Sequence, residues 1–164
     1  MEREFTQLVN DYRTLIFKVC NLYCGDSESR KDLFQEVVLQ LWKSFPGFRK
    51  ESASSTWIYR VALNTAISNF RRESKKPERR SISLEELEIP EIVGIDDKER
   101  RSSLHLAIDK LTEIEKAIIM LYLDEKSYDE ISEIIGISIS NVGVRLNRIK
   151  NKLSKLIKTD SYEY

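Results

Sequence analysis

The sequence predicts an all-α fold of two small helical domains, joined by a flexible linker, with a helix-turn-helix in the C-terminal domain. Apolar residues recur along most of the chain at the steps of three and four that place them on one face of a helix. The 164 residues include only five glycines and three prolines, and most of these lie between the periodic segments. One intervening stretch is rich in acidic residues and holds two of the prolines. We therefore predict a first domain over 1–75, a linker over 76–103, a second domain over 104–158 and a tail over 159–164.

The first domain is predicted to begin with one long helix over Phe5–Tyr23, which Gly25–Ser27 ends. Its inward-facing residues are expected to be Leu8, Tyr12, Leu15, Ile16, Val19 and Leu22. Cys20 and Cys24 share a face of this stretch. Because no cluster of cysteines and histidines completes a metal site with them, we expect buried thiols and no bound metal.

The clearest amphipathic helix is predicted over Ser29–Ser44. Its apolar residues pair at steps of four, and they are Leu33, Phe34, Val37, Val38, Leu41 and Trp42. The polar residues on the other face are Asp32, Gln35, Glu36 and Gln40. A turn over Phe45–Phe48, which contains proline and glycine, and a polar loop over Arg49–Ser55 are predicted to follow.

A third helix is predicted over Thr56–Arg72, where aromatic and cationic residues alternate. Arg60, Asn64 and Arg71 are one or more turns apart, so they can share an exposed face. Two interpretations stand for Trp57 and Tyr59. They are either stacking surfaces for unpaired bases or core aromatics of an amphipathic helix, and their spacing alone favours the core.

The helical period resumes over Leu104–Leu123, after the predicted linker. Thr112 and Glu115 form a candidate cap inside this segment, because an S/T-x-x-E sequence is typical of a helix start. A similar Ser83–Glu86 sequence predicts a short helical turn within the linker.

The stretch Ser127–Lys158 has the pattern of a helix-turn-helix. A capping box formed by Ser127 and Glu130 starts a short helix whose buried face is Ile131, Ile134 and Ile135. Gly136 permits the left-handed conformation that ends a helix, and Ser138 can cap the next one. The second helix of such a motif enters the major groove of DNA.

That second helix carries an apolar stripe and a basic stripe side by side. The apolar stripe is Val142, Leu146, Ile149, Leu153 and Leu156, and the basic stripe is Arg145, Arg148, Lys152 and Lys155. Between Asn141 and Lys158 there are six lysines or arginines and no acidic residue. An amphipathic surface helix with a solvated basic face is the alternative, but the two caps and the glycine turn together favour DNA binding.

Charge and composition exclude several classes of protein. The formal net charge is zero, but two cationic segments, Arg71–Arg80 and the C-terminal helix, are separated by acidic chain. No catalytic triad, metal cluster or glycine-rich phosphate loop is visible, so we expect no enzymatic activity and no cofactor. No segment has the apolar length of a membrane span, and the charged N-terminus lacks the apolar run of a signal peptide. The sequence therefore predicts a cytoplasmic protein without membrane insertion.

The order of these segments resembles the extracytoplasmic-function sigma factors of bacterial RNA polymerase, over nearly the whole chain. Asp32–Val37 with Leu41-Trp42 is similar to the family's D-x-x-Q-E-x-F-x-x-x-W helix. Phe48 followed by Thr56–Ala62 and Asn64 is similar to its F-x-T-W-L-x-R-I-A-x-N signature. Leu111-Thr112 and the stretch Ser127–Leu153 resemble its C-terminal domain.

The resemblance implies a non-catalytic subunit that recruits polymerase to promoters and helps to melt them. Contacts with the clamp helices of the largest polymerase subunit would come from Asp32, Gln35 and Glu36. Contacts with the downstream (−10) element would come from Trp57, Tyr59, Arg60, Asn64, Arg71 and Arg72, with one base flipped into a pocket beside the loop Arg49–Ser55. Contacts with the upstream (−35) element would come from Ser140, Asn141, Arg145, Arg148 and Lys152. The family further implies a monomer when free, with core polymerase, promoter DNA and an anti-sigma factor as partners.

The second helix of the motif departs from the family pattern at three positions. Ile139 stands where an acidic or polar residue is usual, Asn141 where threonine is usual, and Gly143 where lysine or serine is usual. Gly143 should cost about 1 kcal/mol of helix propensity relative to alanine. The upstream sequence preference of another family member is therefore not transferred to this chain.

Two other functions are compatible with parts of the sequence. A stand-alone helix-turn-helix regulator, with an N-terminal ligand-binding or dimerisation domain, would bind duplex operators without polymerase. A helical nuclease would use some of the carboxylates with a metal, although their spacing does not support it. Transcription from promoters by core polymerase plus this chain would distinguish the sigma factor from both.

Overall fold

The structure is a computed structural model that describes residues 1–48, 53–76 and 103–162. Within these ranges the regular structure is helical and no strand occurs, which confirms the all-α prediction. The chain divides into two compact units, Met1–Glu88 and Ile89–Tyr164. The predicted linker 76–103, with its Ser83 turn, lies almost entirely outside the described residues, as does 49–52 of the predicted loop.

Within residues 1–48 and 53–76, the first unit has four α-helices and one short 3₁₀ turn. The helices are α1 (Glu2–Asp11), α2 (Arg13–Tyr23), α3 (Ser27–Ser44) and α4 (Ser54–Ser74), and the 3₁₀ turn is Phe45–Gly47. Asp26 caps α3, since its carboxylate accepts a hydrogen bond from the Ser29 N–H at 2.9 Å. The helix α4 begins at Ser54, so the loop predicted over Arg49–Ser55 ends earlier than expected.

The single helix predicted over Phe5–Tyr23 is wrong, because the backbone leaves helical geometry at Tyr12 (φ −108°, ψ 17°). The hydrogen bonds from Tyr12 N–H to Leu8 C=O and from Ile16 N–H to Tyr12 C=O are nevertheless both made, at 3.1 Å. The bend therefore leaves the apolar period almost unbroken. It separates α1, which buries Phe5, from α2, which buries Ile16.

The core of the first unit lies where α2, α3 and α4 pack against one another. The largest fully buried side chains there are Ile16, Val19, Leu33, Val37, Leu41, Ile58 and Leu63. These residues recur at helical spacing, so each of the three helices turns one apolar stripe inward and leaves its polar side at the surface. The polar sides of α3 and α4 carry most of the residues predicted to act in this unit.

The second unit contains α5 (103–109), α6 (Glu113–Leu123), α7 (Tyr128–Ile135) and α8 (Ile139–Tyr162). Thr112 and Glu115 form a complete capping box, which confirms the cap predicted inside Leu104–Leu123 and starts α6 there. The helix α8 runs four residues past the predicted domain end at 158, into the stretch predicted as a tail.

The connection between α7 and α8 has the predicted helix-turn-helix geometry. Ser127 and Glu130 form the capping box of α7, with the Glu130 N–H donating to Ser127 Oγ at 3.1 Å. Gly136 ends α7 in the left-handed region (φ 83°), and the Asn141 N–H donates to Ser138 Oγ at 3.2 Å to start α8. The buried face beneath the turn is formed by Ile131, Ile134, Val142, Leu146, Ile149 and Leu153.

We expect two glycine substitutions in the second unit to change its stability in opposite directions. Gly136→Ala should destabilise it by about 1–2 kcal/mol, because a Cβ disfavours the left-handed conformation. Gly143→Ala should stabilise it by up to about 1 kcal/mol, because a Cβ there would meet Tyr128 Cε2 at 3.6 Å, an ordinary contact in a helix. Urea unfolding followed by far-UV circular dichroism measures both changes. A shift of the same sign in the two variants would contradict this account of the turn.

Candidate nucleic-acid interface

The first turns of α8 present a polar and partly cationic surface to solvent. Ser140 and Arg148 are exposed, and Asn141 and Arg145 are half-buried. The Ser138 cap and the left-handed Gly136 orient the start of this helix, because together they close the turn that precedes it. The structure therefore places these four predicted residues on the part of α8 that its apolar stripe leaves uncovered.

Lys152 has a side-chain partner that the sequence prediction did not include. Its Nζ lies 3.1 Å from Glu115 Oε1, so the predicted basic stripe is interrupted by an ion pair with the start of α6. Glu115 also accepts a hydrogen bond from the Thr112 N–H at 2.9 Å. Burial alone would raise the pKa of Glu115, but the hydrogen bonds from Thr112 and Lys152 outweigh it and leave the pKa below its usual value. Lys152 would have to leave this pair to reach a phosphate.

Lys150 is a second cation of α8 with a defined partner. Its Nζ donates to the Tyr122 hydroxyl at 3.0 Å and lies 4.1 Å from the centre of the same ring. The hydrogen bond to Tyr122 is the main reason that the pKa of Lys150 is raised. Five positions from Arg145 on a helix of 3.6 residues per turn, Lys150 lies on a different face from the predicted contacts.

Val144 and Asn147 also belong to the exposed surface of α8, and the sequence prediction did not include them. Val144 is 48% exposed, and Asn147 is exposed as well. Their spacing could have indicated this exposure. Each lies two or five positions from Val142 and Ile149, and not the three or four that would place it on the apolar stripe. An exposed apolar residue on a candidate recognition helix can contact the methyl group of thymine.

Gly143 lies in the second turn of α8, next to the start of α7. A Cβ built at this position would lie 3.6 Å from Cε2 of Tyr128, the first residue of α7. A small side chain at position 143 would therefore make an ordinary contact with the Tyr128 ring. The structure gives this departure from the family pattern a local packing context.

The exposed face of α4 holds the cationic and amide residues predicted there. Arg60, Asn64, Arg71 and Arg72 are all exposed. They follow one another along a helix that ends at Ser74, so they extend over several turns of its surface.

The two aromatic residues of α4 have different environments. Tyr59 is only 4% exposed, which agrees with the core position that its spacing favours, and its contact with the downstream element stays a prediction. Trp57 is half-buried, and its ring stacks on Phe48 with centroids 4.4 Å apart and an interplanar angle of 17°. Because residues i and i+2 lie on different sides of a helix, the burial of one does not require the burial of the other.

The three predicted residues of α3 line two different surfaces. Asp32 and Glu36 line a cavity of about 370 Å³ next to Cys24 and Arg72. Gln35 instead lines an apolar groove between α1 and α3. Asp32 and Gln35 are exposed, whereas Glu36 is half-buried and accepts a hydrogen bond from Gln40 Nε2 at 3.2 Å. An acidic surface and an apolar surface therefore meet along this helix.

The two cysteines differ in burial. Cys20 is buried as predicted, and burial, with a smaller contribution from Cys24, raises the pKa of its thiol to about 12. Cys24 is half-buried.

Across 1–48, 53–76 and 103–162, no three His, Cys, Asp or Glu side chains form a group that could hold a metal. In the same ranges no helix has the length and apolarity to span a bilayer.

Two protein families match this chain, in the order in which the two units occur. The sigma-70 region 2 family matches residues 8–76, which include α2, α3 and α4. The sigma-70 region 4 family matches residues 101–153, which include the helix-turn-helix.

Three similar proteins match this chain over most of its length and most of their own. The RNA polymerase sigma-H factor of Pseudomonas aeruginosa is 24% identical over 95% of this chain and 87% of its own length. The ECF RNA polymerase sigma factor SigW of Bacillus subtilis is 26% identical over 94% of this chain and 89% of its own. The ECF RNA polymerase sigma-E factor of Escherichia coli is 27% identical over 96% of this chain and 90% of its own.

Two solved structures share the fold at lower identity. One is the sigma factor RpoE of Bartonella quintana in complex with the anti-sigma factor NepR, with a TM-score of 0.75 and 18% identity over 96% of this chain and 99% of that one. The other is CnrH in complex with the cytosolic domain of CnrY, with a TM-score of 0.69 and 20% identity over 98% of this chain and 91% of that one.

Proposed function

Because this chain belongs to the sigma-70 family, as an extracytoplasmic-function sigma factor of bacterial RNA polymerase, we propose a division of its work between the two units. The segment 1–75 binds core polymerase and opens the downstream promoter element, and the segment 104–158 reads the upstream element. The observation that supports this most is the helix-turn-helix of the second unit, with both of its caps made. The second helix of such a motif enters a major groove, which suits the recognition of a duplex upstream element.

In the second unit, Ser140, Asn141, Arg145 and Arg148 are proposed to contact the upstream element. Polar side chains at the start of a recognition helix face the base edges, and cations farther along it meet phosphates. Lys152 is a conditional member of this set, since its ion pair with Glu115 must open first. An ammonium can exchange one oxygen partner for another at small cost when both lie near solvent.

Arg148→Ala should reduce transcription from promoters that depend on the upstream element, and it should lower the salt dependence of holoenzyme binding. Loss of one phosphate contact is expected to reduce the slope of log K against log salt by about one. Lys150→Ala is the matched control, because it removes an exposed cation of the same helix that is bonded to Tyr122. Equal losses of transcription in the two variants would refute the assignment of Arg148 to the DNA-contacting face of α8.

In the first unit, the exposed face of α4 is proposed to hold the downstream element. Arg60, Asn64, Arg71 and Arg72 supply cations and an amide to phosphates and bases, and the half-buried Trp57 supplies a ring on which an unpaired base can stack. Tyr59 is proposed to support this face from the core instead of contacting DNA.

Core polymerase is proposed to bind the polar side of α3 through Asp32, Gln35 and Glu36. These residues offer two carboxylates and an amide at the boundary between a polar cavity and an apolar groove. Such a boundary suits a basic amphipathic helix, which would bring apolar and cationic groups together. The polymerase then supplies the chemistry, and this chain acts in the cytoplasm without enzymatic activity of its own.

Regulation by an anti-sigma factor is proposed as well. One of the similar solved structures is a complex of a sigma factor with an anti-sigma factor. An anti-sigma factor of this chain would cover the α3 or α8 surfaces and so block polymerase or DNA.

Run-off transcription tests the proposed function. Core polymerase plus this chain should produce a defined transcript from a promoter of the source genome, and neither component alone should do so. Tight binding of the chain to a duplex operator, with no stimulated transcription, would support a stand-alone regulator instead.

A further inference from the structure

Five aromatic rings of the first unit form a connected series, which we call the aromatic series: Phe5, Trp42, Phe45, Phe48 and Trp57. Phe5 contacts Trp42 edge-on, with centroids 4.9 Å apart. It also contacts Phe45 edge-on at 5.4 Å. Phe45 is 6.4 Å from Trp57, which stacks on Phe48 at 4.4 Å. All four separations lie within the range in which aromatic rings attract one another.

Phe5 is the buried member at the start of this series. It is 8% exposed and is the only buried residue of α1. Its two ring partners lie on other elements, Trp42 near the end of α3 and Phe45 in the 3₁₀ turn. The interplanar angles of 65° and 64° show that one ring meets both partners in the same edge-to-face manner. Phe5 therefore anchors α1 to the segment that leads from α3 toward α4.

Trp57 is the member of the series that has a proposed part in DNA binding. Its ring is bounded by Phe48 in a nearly parallel stack (17°) and by Phe45 in a tilted contact (46°). Both neighbours belong to the 3₁₀ turn or its end, so the position of that turn sets the position of the indole. A ring that is already held in one orientation favours stacking on an unpaired base, because less freedom is lost when the base arrives.

We propose that Phe5 is a positioning residue for the Trp57 contact with the unpaired promoter strand. It acts through Phe45, whose ring it holds against the indole. The inference rests on the proposed function, because it assumes that Trp57 contacts melted DNA. It assigns to α1, whose outer residues are mostly exposed, a part in promoter opening.

The test measures promoter opening by holoenzyme at saturating sigma concentration, with permanganate reactivity of unpaired thymines as the signal. The variants are Phe5→Leu, Trp57→Ala and the double substitution. Phe5→Leu should reduce the opened fraction about threefold to tenfold on duplex promoter, the range expected from the loss of one or two aromatic pairs. The double variant should open no less than Trp57→Ala alone, because the two residues act through one contact.

Phe17→Leu is the matched control. Phe17 stacks on Phe34 at 4.6 Å in the same unit, outside the aromatic series. The Phe17→Leu substitution should leave promoter opening unchanged. A template with a preformed bubble should largely restore activity to Phe5→Leu, which a general loss of folding would not allow. If Phe5→Leu fails to bind core polymerase, Phe45→Leu replaces it with the same expectations.

The outcomes separate the inference from the function on which it rests. Normal opening by Trp57→Ala would overturn the role proposed for Trp57, and the inference with it. Defective opening by Trp57→Ala together with normal opening by Phe5→Leu would overturn the inference alone. Additive losses in the double variant, or an equal loss in Phe17→Leu, would also overturn it.

Discussion

Glu36→Lys is expected to weaken binding to core polymerase by at least about tenfold, equivalent to about 1.4 kcal/mol, without unfolding the first unit. Glu36 is half-buried and lines the same cavity as Asp32, so a cation there reverses the local charge within the proposed interface. Like charges brought together across an interface cost several kcal/mol, whereas the same change at an open surface costs little. Affinity is measured by titrating labelled sigma factor with core enzyme.

Glu4→Lys is the control for this prediction. Glu4 is an exposed residue of α1, and its substitution changes the net charge by the same amount. It should alter core affinity only slightly. Equal losses in both variants would mean that polymerase responds to total charge, and unchanged affinity in Glu36→Lys would remove α3 from the interface.

Leu146→Ala is expected to destabilise the second unit by about 2–5 kcal/mol, enough to unfold most small domains partly. Leu146 has no exposed surface and lies beneath the turn between α7 and α8, with Ile131, Val142 and Ile149 also buried there. A cavity at this position removes contacts from both helices of the motif. Transcription from promoters that depend on the upstream element should be lost as a consequence.

Spectroscopy distinguishes this loss of folding from a loss of contact. Both tryptophans of the chain, Trp42 and Trp57, lie in the first unit, so their fluorescence reports that unit and circular dichroism reports both. Leu146→Ala should shift the dichroism transition to lower urea. Arg148→Ala should abolish a contact without such a shift, because its side chain is exposed. A normal urea transition for Leu146→Ala would contradict the core described here.

The helix-turn-helix was predictable because its signals are local. A capping box, a left-handed glycine and a serine cap each depend on residues within four positions of one another, and the structure makes all three. The apolar stripe of α8 was predictable for the same reason, since it is fixed by helical period. The all-α class followed from the same pattern repeated along the chain.

The sequence pattern could not specify features that depend on residues distant in sequence. The bend at Tyr12 keeps its flanking hydrogen bonds, so the period alone cannot show that Phe5 turns toward Trp42 and Phe45. The pairing of Lys152 with Glu115 joins residues 37 positions apart, and no helix pattern contains it. The burial of Tyr59 depends on how α4 rotates against α2 and α3, which two neighbouring aromatics in a sequence do not specify.

The division of Asp32, Gln35 and Glu36 between two surfaces has the same origin. These residues fall on one polar face of a helical wheel, and that placement is correct. Which of them lies beside a cavity and which beside a groove depends on the neighbouring helices α1 and α4. The sequence therefore predicts which residues can act but not how an interface is divided among them.

DNase footprinting of one promoter, with this chain alone and with this chain bound to core polymerase, tests the central claim most directly. The claim is that two DNA-binding surfaces in one chain serve promoter recognition when polymerase holds them. We expect protection of both the upstream and the downstream element with the holoenzyme, and no sequence-specific protection by the chain alone at the same concentration. An equally strong specific footprint without polymerase would contradict the claim and identify a stand-alone duplex-binding regulator.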